Sequence, residues 1–149
     1  MSTDPWYTWY MKCWEAIYEK IAALAEFADA DIIYGYKSTI ETYPTVYVCP
    51  GNIDITPASL NMYDNKAVID IGVATQQSGD PKEGYQAVLQ LVGVIYDAVV
   101  DDKKLNYGGE NLVDQLEPSR IEPNWRGLGV RGEEDFWCGF TVTLTRYRL

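Results

Sequence analysis

Residues 80–102 read DPKEGYQAVLQLVGVIYDAVVDD, and the spacing of their apolar side chains decides how the rest of the chain is arranged. Asp80 offers a carboxylate to the free N–H groups of a first helical turn. Pro81 takes the position where a missing donor costs nothing, and Glu83 stands at capping-box spacing. Val88, Leu91, Val92, Ile95 and Val99 then recur at helical steps, with Tyr85, Leu89, Tyr96 and Val100 widening the stripe. Gly84 and Gly93 each weaken a helix by about 1 kcal/mol relative to Ala, so packing must hold this one. A stripe this broad predicts a sheet against it.

The composition bounds what that sheet belongs to. A chain of 149 residues and 16.9 kDa fits one domain spanning residues 1–149, able to bury about two-thirds of its unfolded surface without disulfide or metal. An apolar fraction of 47% with 13% aromatic argues against disorder, and no apolar run approaches the roughly 20 residues that span a bilayer. The opening MSTDPWYTWYMKCW lacks a basic n-region and a clean apolar h-region, so no secretory signal and a cytoplasmic residence are expected. Cys13, Cys49 and Cys138 are odd in number, far apart and set among apolar residues, the pattern of buried free thiols. Histidine is absent, which removes the usual proton shuttle, the commonest transition-metal ligand and every Ser-His or Cys-His pair. A formal charge of -10 opposes the attraction that drives nucleic-acid binding, although DNA passing by without being gripped remains allowed.

Taken in order, residues 5–28 predict a first helix with Trp14, Ile17, Tyr18, Ile21, Leu24, Ala25 and Ala28 on one face. Trp6, Trp9 and Tyr10 collect at its leading end, where they either wrap the domain's own edge or present a docking surface. After a polar connection through Gly35 and Ser38, residues 45–49 predict a strand that Pro50-Gly51 ends. Residues 66–75 predict a second strand, antiparallel to it. The joining stretch 51–65 carries Ile53, Ile55, Leu60, Met62 and Tyr63, more apolar residues than a solvated loop usually holds. It reads as an arm, either folded back on its own core or reaching a neighbouring subunit. Residues 112–122 fit an irregular edge strand with Pro118 and Pro123, and residues 136–145 alternate strictly as a half-buried strand. The sum is an α+β fold: an antiparallel sheet of about four strands with two helices packed on one face.

The motifs offer little chemistry. Gly127-Leu128-Gly129-Val130-Arg131-Gly132 matches GxGxxG, but Glu133, Glu134 and Asp135 follow it, and then a strand. Phosphate would meet three carboxylates and no helix amino end, so a flexible turn is expected. Those acids, Asp101-Asp102 and Asp29-Ala30-Asp31 lack the alternation of a calcium loop and read as solvated clusters. No catalytic, cofactor or metal site is expected. Trp125 and Arg126 lie in a Pro/Gly-rich loop, and the arginines Arg120, Arg131, Arg146 and Arg148 concentrate in the C-terminal third. These arginines read either as scattered surface charge or as intersubunit partners of acidic surfaces, and in the second case their separation from the acidic majority favours head-to-tail self-association over a two-fold dimer.

The element order, with TYPTVYVCPG, KAVIDIGVAT, the helix DPKEGYQAVLQLVGVIYDAV, LEPSRIEP and the terminal FWCGFTVTLTRYRL, resembles the tail-terminator (tail-completion) proteins of tailed bacteriophages over roughly residues 11–149. The resemblance implies a six-membered ring that caps the tail tube, ends its polymerisation and meets the head connector. It implies no enzyme and no cofactor, and a place in the virion at the head–tail junction after assembly in the host cytoplasm. Partners would be copies of the chain, the tail tube protein and the connector or neck proteins, with genome DNA passing unbound and no membrane involved. Trp6, Trp9, Ile53, Ile55, Met62, Tyr63, Trp125 and Arg126 would be contact residues, and Glu110, Glu133, Glu134 and Asp135 would face the bore. A head-completion or neck protein is the neighbouring reading, and a small ligand-binding or enzymatic α+β domain is the reading of a different class.

Overall fold

The computed structural model describes residues 4–35, 42–59, 62–76, 81–123 and 135–148. In chain order they form α1 (Trp6–Ala22), a 3-10 turn (Ala25–Phe27), β1 (Asp31–Tyr34), β2 (Thr45–Ser59), β3 (Met62–Gln76) and α2 (Pro81–Asp101). These are followed by β4 (Asn106–Tyr107), β5 (Glu110–Asn111), β6 (Gln115–Pro118), β7 (Glu122–Pro123) and β8 (Asp135–Arg148). The sheet runs β1-β2-β3-β8-β6, with β7 also on β8, while β4 and β5 form a separate hairpin. β1 is parallel to β2 and the other pairings are antiparallel.

The fold is thus α+β with two helices, as expected, but the sheet is mixed and six-stranded rather than antiparallel and about four-stranded. The additions lie at its edges. Ile32, Ile33 and Tyr34 make β1 in a region the sequence assigned to helix end and polar connection. The irregular segment after residue 112 splits into β6 and β7, each ending in a proline that cannot donate to a ladder and so keeps an edge strand short.

Strand alternation sorts the core. Val46, Val48, Ile69, Ile71, Val73, Phe140, Val142 and Leu144 join residues of both helices in one buried cluster. Val88, Val92, Ile95 and Val99 of α2 are all buried there, as their spacing predicts. At about 1.5–3 kcal/mol for each buried side chain, they outweigh the roughly 1 kcal/mol cost of each glycine. Gly84 has a positive role as well: a Cβ there would lie 2.3 Å from Cε2 of Phe136, so only glycine lets α2 close onto β8. Tyr47, Cys49, Ala74 and Trp137 form a second cluster on the opposite face.

Two boundaries differ from expectation. α1 stops at Ala22 although AALAEFADA contains no helix breaker. Leu24 turns extended with ψ 132° and brings Phe27, 2% exposed, back into the core. Burying that ring overrides helix propensity. Pro50-Gly51 does not end β2 either. The strand passes through a register shift between Pro50 and Ile53 and continues to Ser59. A Cβ on Gly51 would meet the Val68 carbonyl oxygen at 2.8 Å, so the bulge needs glycine for close approach. β8 pairs with β3 from Gln76↔Asp135 to Tyr63↔Arg148, which makes the arm a three-stranded extension of the sheet.

Candidate interaction surface

α1 is fastened to the sheet by aromatic side chains with polar tips. Tyr10, Trp14 and Tyr18 recur every four residues and so form one row on the helix. The Tyr10 hydroxyl donates to Val68 O (3.3 Å), Trp14 Nε1 to Val48 O (2.7 Å) and the Tyr18 hydroxyl to Ile32 O (3.0 Å). Those acceptors lie on β3, β2 and β1 in turn. Trp9 adds a fourth tie, its Nε1 donating to Leu112 O at 2.6 Å. Burial and this bond push the expectation for Trp9 aside: it is fully buried and belongs to the core, not to a docking surface. Trp6, Tyr7 and Met11 of the same helix remain exposed, at 40%, 58% and 54%.

Beyond the bulge the arm keeps its apolar alternation. Ile53 packs partly against the main core, whereas Ile55 is 42% exposed. Ile55 stands opposite Asn65, and Asn65 opposite Arg146. Arg146 is fully buried, donating from Nε (3.2 Å) and Nη2 (2.7 Å) to Asn65 Oδ1. Its guanidinium lies 4.7 Å from the centre of the Trp9 ring, a cation–π arrangement. Trp9 over this row brings the first turn of α1 to the level of the arm. Trp6 shares a helical face with Cys13 and Ile17 but precedes the part of α1 that the core covers. Ile55 and the leading end of α1 therefore lie at the same level of the sheet, whereas Tyr7 and Met11, about half a turn from Trp9, point away from it.

Other expected contact and bore residues fall elsewhere. Met62 and Tyr63 are in β3 and Asp135 in β8 by their backbone, with side chains outside the described set. Trp125, Arg126, Glu133, Glu134 and the GxGxxG motif lie outside the described residues. Glu110, on the β4–β5 hairpin, turns toward α1, with Oε2 3.8 Å from Lys12 Nζ; Lys12 also pairs with Asp4 at 2.6 Å.

The opposite face of the sheet carries titratable groups. Tyr47 of β2 and Trp137 of β8 stack across the intervening strand, with centroids 5.3 Å apart and planes 17° apart. They can meet because β3 places Gly72 opposite Tyr47 and Ala74 opposite Trp137, leaving room above it. One row further, Cys49, Asp70 and Thr141 are in register. Burial raises the Asp70 carboxyl above its ordinary value. Burial also pushes Cys138 up to about 11, and with the Asp70 charge it pushes Cys49 up to about 12. Cys13 rises too, against the opposing field of Arg146. All three thiols are therefore protonated at neutral pH and are poor nucleophiles.

Among the described residues, no group of three or more His, Cys, Asp or Glu side chains is placed to hold a metal ion. None of the described helices is long and apolar enough to cross a membrane. An open groove of about 510 Å³ runs between α1 and the β4–β5 hairpin, past Ala16, Glu19 and Tyr107.

No protein-family model matches this chain, and no curated protein matches it. Two features of the surface escaped the sequence reading. The Tyr10, Trp14, Tyr18 row was legible in its four-residue spacing, and the inward direction of Arg146 follows from alternation with Val142 and Leu144.

Proposed function

We propose that this chain is a virion structural subunit of the tail-terminator type. It closes into a ring on the end of a tail tube, stops tube polymerisation and offers a surface to the head connector. The observation that carries this reading is the uncovered end of the sheet, where Ile55 is 42% exposed on strands that continue beyond the helices. Trp6 is 40% exposed at the leading end of α1, and uncovered apolar side chains of this kind are characteristic of a place where another chain sits. The resemblance in element order names that chain as a further copy, in a ring of six.

The charge supports the same reading. At -10 the chain repels phosphate, which suits a ring that genome DNA slides through unbound. The protonated thiols and the absent histidine suit a subunit whose work is contact rather than reaction.

Two experiments test the proposal. Ile55→Asp should abolish ring formation while leaving the monomer folded, as read by native mass and circular dichroism; rings that persist would remove the arm from the interface. Electron microscopy of particles made without this protein should show overlong, headless tails. Tails of normal length beside unattached heads would instead assign the chain to the neck.

A further inference from the structure

The two edges of the sheet differ in what they expose. At one edge, Tyr34 of β1 stacks on Tyr18 with centroids 4.0 Å and planes 9° apart, meets Trp14 edge-on at 5.3 Å, and remains 49% exposed. Glu15 and Glu19 stand beside this aromatic group on α1. Burial first, and then the fields of both carboxylates, raise the Tyr34 hydroxyl above its ordinary value. Tyr107, on the far wall of the 510 Å³ groove, is raised in the same way, by burial first and then by the same two carboxylates. Among the described residues no cation pairs with Glu15 or Glu19. Lys12 is held by Asp4 and Glu110, and Lys20, on the groove rim, by Asp102 at 3.0 Å.

At the other edge, Arg120 lies between β6 and β7, both of which flank β8 on the side away from β1. Its side chain is 87% exposed, and its ion pair is with Glu122, two residues away, at 3.5 Å. A planar guanidinium that can stack on an exposed tyrosine ring and fork onto carboxylates has the shape and charge the first edge lacks.

We infer that Arg120 of one copy docks between Tyr34 and the Glu15 and Glu19 carboxylates of the next, so that the ring closes head to tail through opposite edges of the sheet. A contact of this kind is heterologous, using two different patches on each subunit, and heterologous contacts close into rings when the rotation between copies allows. The inference rests on the ring reading above and gives it a specific joint. The joint is separate from the Ile55 end of the sheet, which makes its own contact with a neighbouring copy.

The test uses the full chain and follows the oligomer by native mass spectrometry and sedimentation across a concentration series at near-physiological salt. Arg120→Glu and the double variant Glu15→Arg/Glu19→Arg should each raise the concentration needed for rings by about tenfold or more, the effect of like charges brought together at a close pair. All three positions are exposed, so thermal midpoints should stay at the wild-type value, which separates a lost contact from a lost fold. An equimolar mixture of the two variants should recover rings, because every junction then pairs opposite charges again. Arg120→Lys, which keeps the charge and loses the fork, should fall between. Rings at the wild-type concentration in both variants, or failure of the mixture to recover, overturn this joint and leave the ring reading standing. A wild-type chain that is monomeric throughout the series overturns the ring reading itself, and this joint with it.

Discussion

Strands β2, β3 and β8 run the whole length of the sheet, yet their two halves have different neighbours, and in the arm the row of Ile55 continues into Asn65 and Arg146. In the helix-covered half, Val48, Ile71 and Phe140 are at most 1% exposed; in the arm, Ile55 is 42% exposed. Length explains the difference. The 17 residues of α1 span about 25 Å at about 1.5 Å per residue, whereas the 15 residues of β2 span about 50 Å at about 3.3 Å per residue. A helix of that length covers half such a strand. Alternation thus dictates which face of a sheet is apolar, and the lengths of the other elements dictate how much of that face the chain can cover itself.

Substitutions in the covered half should have the largest effects on folding. Ile95→Ala, under α2, should lower stability by about 2–5 kcal/mol in denaturant unfolding, because the packed site cannot collapse around the lost volume. Gly84→Ala should cost about 1–3 kcal/mol, since its new methyl group would enter the ring of Phe136. At the boundary between the halves, Asn65→Ala removes the oxygen that accepts two bonds from a buried guanidinium and should cost about 1.5–3 kcal/mol. In the arm, Ile55→Asp should change monomer stability by no more than about 0.5 kcal/mol. A large loss there would mean that Ile55 belongs to the monomer's own core, and the contrast between the halves would fail.

The smallest expected effect is at Asp70. Burial raises its folded carboxyl above the ordinary 3.8, so the folded state binds the proton more tightly than the unfolded state. Its charge therefore costs stability as pH rises from 3.8 through the raised value, and the cost persists above that window. Asp70→Asn should raise the thermal midpoint slightly at pH 7 and leave it unchanged well below pH 3.8. An equal gain at both pH values would assign the effect to something other than the charge.

The covered half was the legible half. The α2 stripe, the strand over residues 66–75 and the final strand all follow from periodicity, because each buries a regular face. The misreadings arose where tertiary contacts overrule local pattern. β1 is a four-residue strand whose only described strand partner is β2, too short for alternation to register. The bulge at Pro50-Gly51 looks like a strand end because both residues punctuate chains, and its continuation is fixed by β3. At the candidate surface, the aromatic richness of the first helix was visible, but its division was not. Trp9 and Tyr10 face the sheet while Trp6 and Tyr7 do not, a matter of helix phase and of where the sheet begins.

The account stands on the claim that copies of the chain cover the apolar end of the sheet. Native mass spectrometry of the wild-type chain beside Ile55→Asp tests it directly. The account predicts a closed ring of defined size for the wild type and a folded monomer for the variant. A wild-type protein that stays monomeric at every concentration, or a variant that forms the same ring, contradicts it.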